Sequence, residues 1–349
     1  MAAKKKAGAR APVSRKAVAT KPAAKLHLHV DNLRRLGDVF QVTPKRLQDA
    51  LKRYPQVSKH LKVTRSVDGK GLAKQLETAD VLFGWDFDRA VVKAAPKLKW
   101  VVAHGAGVTH LMPLDWLPKG AVLTNSAGVH GERAAEYTIM AILMLNNRLP
   151  EMMTNQRKSR WEQRYNTEIA GKKLLVIGTG AVGGDTARHA KHFGMEVWGI
   201  RRSGKAHRYV DKMYKPKDLH RLLPKVDFLL MCAPDTKDTH HMIGAKELRL
   251  MKQGAGLVNY SRAGTMDYDA VRKACAAGKV SAILDVHEQE PLPRTSPSWK
   301  TPNLIVTPHS SSDDTELYTP KTLDRLLENM ARFLAGKKPT NIVDPKLQY

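Results

Sequence analysis

Three glycines, Gly178, Gly180 and Gly183, stand where an apolar run, Leu174-Leu175-Val176-Ile177, ends and a helical pattern begins. Glycines at that spacing and place are suited to hold a pyrophosphate. The first makes the tight turn, the second lets main chain approach the phosphates, and the third lets helix and strand touch. Thr179, Ala181 and Val182 complete the turn, whose free N–H groups at a helix start attract anions. A second apolar run, Glu196–Ile200, follows a helix expected over Asp185–Phe193, as a dinucleotide-binding unit requires. At its end, where an NAD site carries an acid for the ribose, stand Arg201, Arg202 and Ser203. A carboxylate repels a 2′-phosphate, whereas two guanidinium groups and a hydroxyl bind it. NADP(H) is therefore the expected cofactor. NAD(H) is the alternative, with the arginines as a solvated basic loop.

Three further polar clusters follow strand-like runs: Asn259–Gly264 with Arg262, Asp285–Pro291 with Glu290, and Thr307-Pro308-His309. Each alone reads as a loop arginine, a capping acid or a surface imidazole. Open α/β sheets bind ligands at the carboxyl ends of their strands, so an arginine, a glutamate and a histidine all at that face form a candidate reactive set.

The elements that must carry these residues read as strands alternating with helices. In the first part the strands are Leu26–Val30, Val81–Phe83, Lys99–Val102 and Ala121–Thr124, and Thr43-Pro44 opens a helix through about Lys52. In the second they are Leu174–Ile177, Glu196–Ile200, Val226–Cys232, Gly256–Tyr260, Ala282–Val286 and Leu304–Thr307, with helices at Ala245–Met251 and Met266–Ala277. That alternation predicts an α/β chain of two doubly wound parallel-sheet lobes with a cleft between them. A long apolar helix, Val129 to about Arg148, needs a cover, either the other lobe or a second subunit. A last helix, Leu323–Ala335, is expected to return to the first lobe. The domains then read as 25–125 with 318–349 for substrate and 126–317 for NAD(P), after a disordered basic tail over 1–24.

Composition narrows the class. At 349 residues and 42% hydrophobic, the chain has material for two ordinary cores. Its longest apolar run, Tyr137–Leu145, is too short to cross a bilayer. Cys232 and Cys275 lack metal-ligand spacing and are too few for a disulfide framework. No metal site is expected, and a reducing, cytoplasmic setting is. The net charge of +26 invites a nucleic-acid reading, but eight of the basic residues fall within the first 25 positions and the rest are scattered. The tail could touch nucleic acid without specificity, or it could simply be solvated.

The motif order, Gly178-x-Gly180-x-x-Gly183, Asn259-x-x-Arg262, Asp285-Val286 through Glu290-Pro291, and Thr307-Pro308-His309, resembles the D-isomer-specific 2-hydroxyacid dehydrogenases. The resemblance runs from about Leu26 to Tyr349, includes the closing Asn341–Pro345, and is strongest for the glyoxylate/hydroxypyruvate reductase branch. It implies a Rossmann cofactor domain with a flavodoxin-like substrate domain. It implies hydride transfer between NAD(P)H and a small 2-oxo acid, with Arg262, Glu290 and His309 catalytic. Arg262 would grip the carboxylate and carbonyl, His309 would exchange the proton, and Glu290 would orient the imidazole. Asp285 would hold the nicotinamide end, and Cys232, Ala233, Pro234, Tyr260, Ser261 and Ser311 would also lie along the cofactor. The loop His104–Val108, chiefly Ala106 and Gly107, would bind substrate through N–H groups, and Trp85 would line the pocket or pack behind it. Apart from the resemblance, the apolar helix 129–148 suggests a homodimer. Three features depart from the pattern: Ser310-Ser311-Ser312-Asp313-Asp314 replaces a glycine-containing turn, His287 an aromatic, and Thr109 an aspartate. The rival reading is a non-catalytic protein that senses NAD(P), for which three reactive side chains are superfluous.

Overall fold

The computed structural model describes residues 25–347. The basic tail over 1–24, with its expected disorder, lies outside the described residues.

Two parallel sheets organise the chain. The first holds β1 (Leu26–Asn32), β2 (Leu61–Val67), β3 (Val81–Gly84), β4 (Trp100–Ala103) and β5 (Val122–Thr124), in the order β2-β1-β3-β4-β5. The second holds β6 (Lys173–Ile177), β7 (Glu196–Ile200), β8 (Lys212–Tyr214), β9 (Phe228–Met231), β10 (Ala255–Asn259), β11 (Val280–Leu284) and β12 (Leu304–Val306). Its order is β12-β11-β10-β9-β6-β7-β8. Both orders reverse direction once, between β1 and β3 and between β6 and β9. Such reversals open the crevices in which doubly wound sheets bind ligands.

Central strands such as β9 (FLLM) and β10 (AGLVN) are buried along their whole length, because helices cover both faces. The helix Pro44–Arg53 starts as expected, its cap Thr43 accepting from the N–H of Arg46 at 3.2 Å. The long helix spans Gly131–Asn146 and buries ten of its sixteen residues. Its cover comes from within the chain: Ala134, Ile142 and Leu145 pack with Leu174, Val176, Ala187 and Phe228 of the second lobe. The helix Tyr318–Leu334 does return to the first sheet, where Leu323, Leu326, Leu327 and Met330 meet Leu28, Val30, Phe83 and Trp100. Burying each such side chain is worth about 1.5–3 kcal/mol.

Two strands, β2 and β8, were not expected from the sequence. Both are edge strands. Edge positions need no continuous apolar run, and β2 accordingly reads Leu-Lys-Val-Thr-Arg-Ser-Val. Its Thr64 and Ser66 hydroxyls bond instead to His27 and His29 of β1 at 2.7–2.9 Å.

Candidate active site

The glycine turn has the form its chemistry requires. Gly178 sits at φ +95°, and a Cβ there would press into the main chain of Cys232 and Ala233 at the end of β9. Gly183 lets the helix Ala181–His192 lie directly on the Gly178 carbonyl. Around Gly180 there is open space, so an approaching phosphate meets N–H groups and no side chain. Thr179 is buried beneath the turn, 4.0 Å from the Met213 sulfur.

Beyond β7, Arg201 is half-buried and Arg202 and Ser203 are exposed. The Arg202 guanidinium stands 3.8 Å from the carboxylate of Asp238, itself well exposed. Tyr260 and Cys232 point inward. The Tyr260 hydroxyl lies 3.2 Å from both Thr186 Oγ1 and Cys232 Sγ, so only their main chain is offered to a ligand. Burial pushes the Cys232 thiol up to about 12, which leaves it no nucleophile. The Ser261 hydroxyl donates to Asn259 Oδ1 at 3.0 Å.

Three strand ends bring the reactive set together. From β12, the turn 307–311 carries His309 at φ +51°. Asp285, wholly buried after β11, pins that turn by accepting from Thr307 Oγ1 at 2.6 Å and from the N–H groups of Ser310 (3.2 Å) and Ser311 (3.0 Å). His287 supports it from below, its Nε2 donating to the Thr307 carbonyl at 2.8 Å. Glu290 accepts from the His287 N–H through Oε1 at 2.8 Å and from His309 Nδ1 through Oε2 at 2.7 Å. From β10, Arg262 donates to the Ser261 carbonyl at 2.6 Å.

The electrostatics follow from this geometry. The hydrogen bond to Glu290 raises the His309 pKa above its ordinary value against the opposing effect of burial. Burial works to raise the Glu290 pKa, but the bonds from His309 and the His287 N–H hold it below normal. The two shifts in opposite senses favour the imidazolium–carboxylate form of the pair, and His309 Nε2, which has no part in that bond, is left to hold a transferable proton. Burial weakens the hold of Arg262 on its proton while the charges of Glu290 and Asp235 strengthen it; the group stays a cation. Asp313 has a raised pKa, from burial first; the His309 charge opposes the rise and the smaller effect of Asp285 adds to it.

The first lobe supplies the opposite wall. A Cβ on Gly107 would coincide with the Arg262 guanidinium, so the loop 104–108 and the arginine are in close apposition. Among the described residues none accepts from the N–H groups of Ala106, Gly107 or Val108. Successive unclaimed N–H groups form a concave anion site. Trp85 lies over Gly105 and stacks on His110 at a 6.2 Å ring separation. Behind the loop is an aromatic cluster of Phe40, Phe83, Trp85, His104, His130 and Tyr318. Burial lowers His104 to about 3 and His130 to about 4, so both are neutral walls and neither is an acid. The sequence marked His104 only as the loop's start and gave no sign of His130, Phe40 or Tyr318, which meet across the lobes from distant segments.

Residues 139–311 match the family model described as D-isomer specific 2-hydroxyacid dehydrogenase, NAD binding domain. A glyoxylate reductase of Korarchaeum cryptofilum is 32% identical over 270 residues, which cover 74% of this chain and 80% of that one. A D-isomer specific 2-hydroxyacid dehydrogenase of Xanthobacter autotrophicus, solved with NADPH and MES, superposes with TM-score 0.79 at 26% identity, over 94% of this chain and 100% of that one. An NADPH-dependent glyoxylate/hydroxypyruvate reductase of Sinorhizobium meliloti, solved with NADP and sulfate, gives TM-score 0.75 at 25% identity, over 93% and 100%. With its two doubly wound sheets and its arginine, glutamate and histidine at the strand ends, the chain belongs to the D-isomer-specific 2-hydroxyacid dehydrogenase family of NAD(P)-dependent oxidoreductases acting on CH–OH groups.

Proposed function

We propose that the protein is an NADP(H)-dependent reductase of small 2-oxo acids of the glyoxylate or hydroxypyruvate type, yielding the D-2-hydroxy acid. The observation that carries this reading is the 2.7 Å bond between Glu290 and His309, with Arg262 set against the N–H loop at Gly107. In this proposal the substrate lobe is 25–125 with 318–349 and the cofactor lobe is 126–317.

The chain's residues fit the cofactor. The Gly178–Gly183 turn would hold the pyrophosphate, the main chain of Cys232–Pro234 and Tyr260-Ser261 would flank the dinucleotide, and Asp285 would hold the nicotinamide end. Ser311 Oγ is buried with no partner among the described residues, which suits a bond to the carboxamide. Arg201, Arg202 and Ser203 would bind a 2′-phosphate, and the relative from Sinorhizobium meliloti is NADPH-dependent. When bound, NADPH supplies the hydride. The N–H groups of Ala106 and Gly107 and the Arg262 guanidinium bind the substrate carboxylate, and Arg262 also polarises the 2-oxo group. His309 Nε2 gives its proton to the carbonyl oxygen as charge develops there, while Glu290 keeps the imidazole oriented and charged. Trp85 and the neutral His104 and His130 exclude water from that face.

Absorbance loss of NADPH and of NADH, followed over a panel of 2-oxo acids, tests the proposal. Turnover of a two- or three-carbon acid with NADPH well above NADH supports it; no turnover of any 2-oxo acid refutes it.

The same proposal includes a homodimer in the reducing cytoplasm. Trp161 and Tyr165 are 92% and 85% exposed on the segment after the helix Leu149–Arg157, and a second copy is the cover we assign to them. Sedimentation of wild type as a dimer and of Trp161→Asp as a monomer tests it.

A further inference from the structure

The end of the chain reaches the substrate loop from behind. After the return helix, the Asn329 side-chain oxygen accepts from the N–H and the hydroxyl of Thr340 at 2.8 and 2.9 Å. The chain then runs as a strap. Asn341 takes a left-handed φ of +59°, Ile342 forms an antiparallel bridge with Thr124, and the Val343 N–H donates to the Leu123 carbonyl at 2.9 Å. The Val343 side chain is buried in the core beside Leu123.

Within this strap Asn341 grips the segment after β5 at three points. Its carbonyl accepts from the Asn125 N–H at 3.2 Å, and its Nδ2 donates to the carbonyls of Ala127 at 2.8 Å and Asn125 at 3.4 Å. Asn125, 7% exposed, passes the hold onward. Its Oδ1 accepts from the Ala127 N–H at 3.2 Å, and its Nδ2 donates to the Ala106 carbonyl at 2.8 Å. Next to it, the Ser126 N–H takes the Gly105 carbonyl at 3.1 Å. In a trans peptide the C=O and the following N–H point to opposite sides. Drawing the carbonyls of Gly105 and Ala106 toward 125–126 therefore turns the N–H groups of Ala106 and Gly107 away from the strap.

We propose that Asn341 and Asn125 are positioning residues for substrate: the C-terminal strap, acting through Asn125, fixes the peptide planes of 105–107 so that their N–H groups stay aimed at the carboxylate. This rests on the reading above that the loop binds the acid. The hold is long-range, since a residue near the end of the chain sets the orientation of peptides more than two hundred positions earlier.

Two variants test it. Asn341→Gly keeps the left-handed backbone and deletes only the amide, whereas Asn125→Asp puts an acceptor where the Ala106 carbonyl meets a donor. Amide hydrogen exchange at Ser126, whose N–H is bonded to the Gly105 carbonyl, glyoxylate KM and kcat, NADPH affinity and Tm are measured for each and for wild type. The strap predicts faster exchange at Ser126 in both variants. It predicts a glyoxylate KM raised roughly 5- to 20-fold, as expected for one or two lost hydrogen bonds, with NADPH affinity unchanged. Exchange at Ser126 identical to wild type, or glyoxylate and NADPH affinities weakened by the same factor, overturns it. Should Asn125→Asp fail to fold, Asn341→Gly decides. If wild type turns over no 2-oxo acid, the proposed function fails, and the exchange measurement still judges the strap.

Discussion

The side chains at the strand ends of the second lobe and the loop 104–108 of the first lobe meet at one point, yet they are held in different ways. Glu290, His309, Asp285 and His287 hold one another across no more than 26 residues of chain, through charged or polar side chains. The loop offers mainly N–H groups and glycine, and its restraints come from 125–126 and, behind them, from the last few residues. Chemistry done by side chains leaves a local mark in a sequence. Chemistry done by main chain leaves only a gap where side chains would otherwise be.

Substitutions on either side break or sharpen this contrast. The largest effect belongs to the side-chain half: His309→Ala removes the proposed proton donor and should lower kcat roughly 10²- to 10⁴-fold, with Tm nearly unchanged; wild-type turnover would refute the assignment. On the main-chain half, Gly107→Ala sets a methyl against the Arg262 guanidinium. Overpacking of about 1–3 kcal/mol predicts a 2-oxo acid KM raised roughly 5- to 150-fold, read from initial rates, with NADPH binding intact. Arg201→Asp, remote from both halves, should raise the NADPH KM roughly 10- to 100-fold while barely moving that of NADH. Equal changes in the two would remove the 2′-phosphate argument.

The smallest change concerns pH. In the proposed mechanism reduction uses protonated His309, and Glu290 raises that pKa. The rate therefore holds below the raised value and falls as pH rises through it, and in Glu290→Gln the fall begins at lower pH. The same sign applies to stability: the contribution of this pair is present in full below the unfolded histidine pKa and fades as pH climbs past the folded one. A kcat/KM profile for glyoxylate with both forms checks the first point.

Much of the frame was legible. Central strands with continuous apolar runs, the glycine turn, and the Arg262, Glu290 and His309 segments stood out because each depends on residue types at close spacing. The edge strands β2 and β8 did not, since half their faces need no apolar partner. The long apolar helix was legible as one that needs a cover, from within the chain or from a second subunit; its apolar side lies on the second lobe of its own chain, a choice that periodicity cannot specify. His287, His130, Asn125 and Asn341 were invisible as supports because the partners they brace lie 19 to more than 200 positions away. Polar residues whose worth depends on such distant acceptors carry no pattern of their own.

The return of the helix Tyr318–Leu334 to the first sheet has a consequence for synthesis. During translation, Leu28, Val30, Phe83 and Trp100 emerge more than two hundred residues before Leu326 and Met330, which cover them. The first-born sheet therefore waits, one side greasy and bare, while the whole cofactor lobe is made and can fold first. A ribosome stalled before residue 318 would hold a nascent chain whose first sheet attracts holdase chaperones, and one from which the helix Tyr318–Leu334 had fully emerged would not.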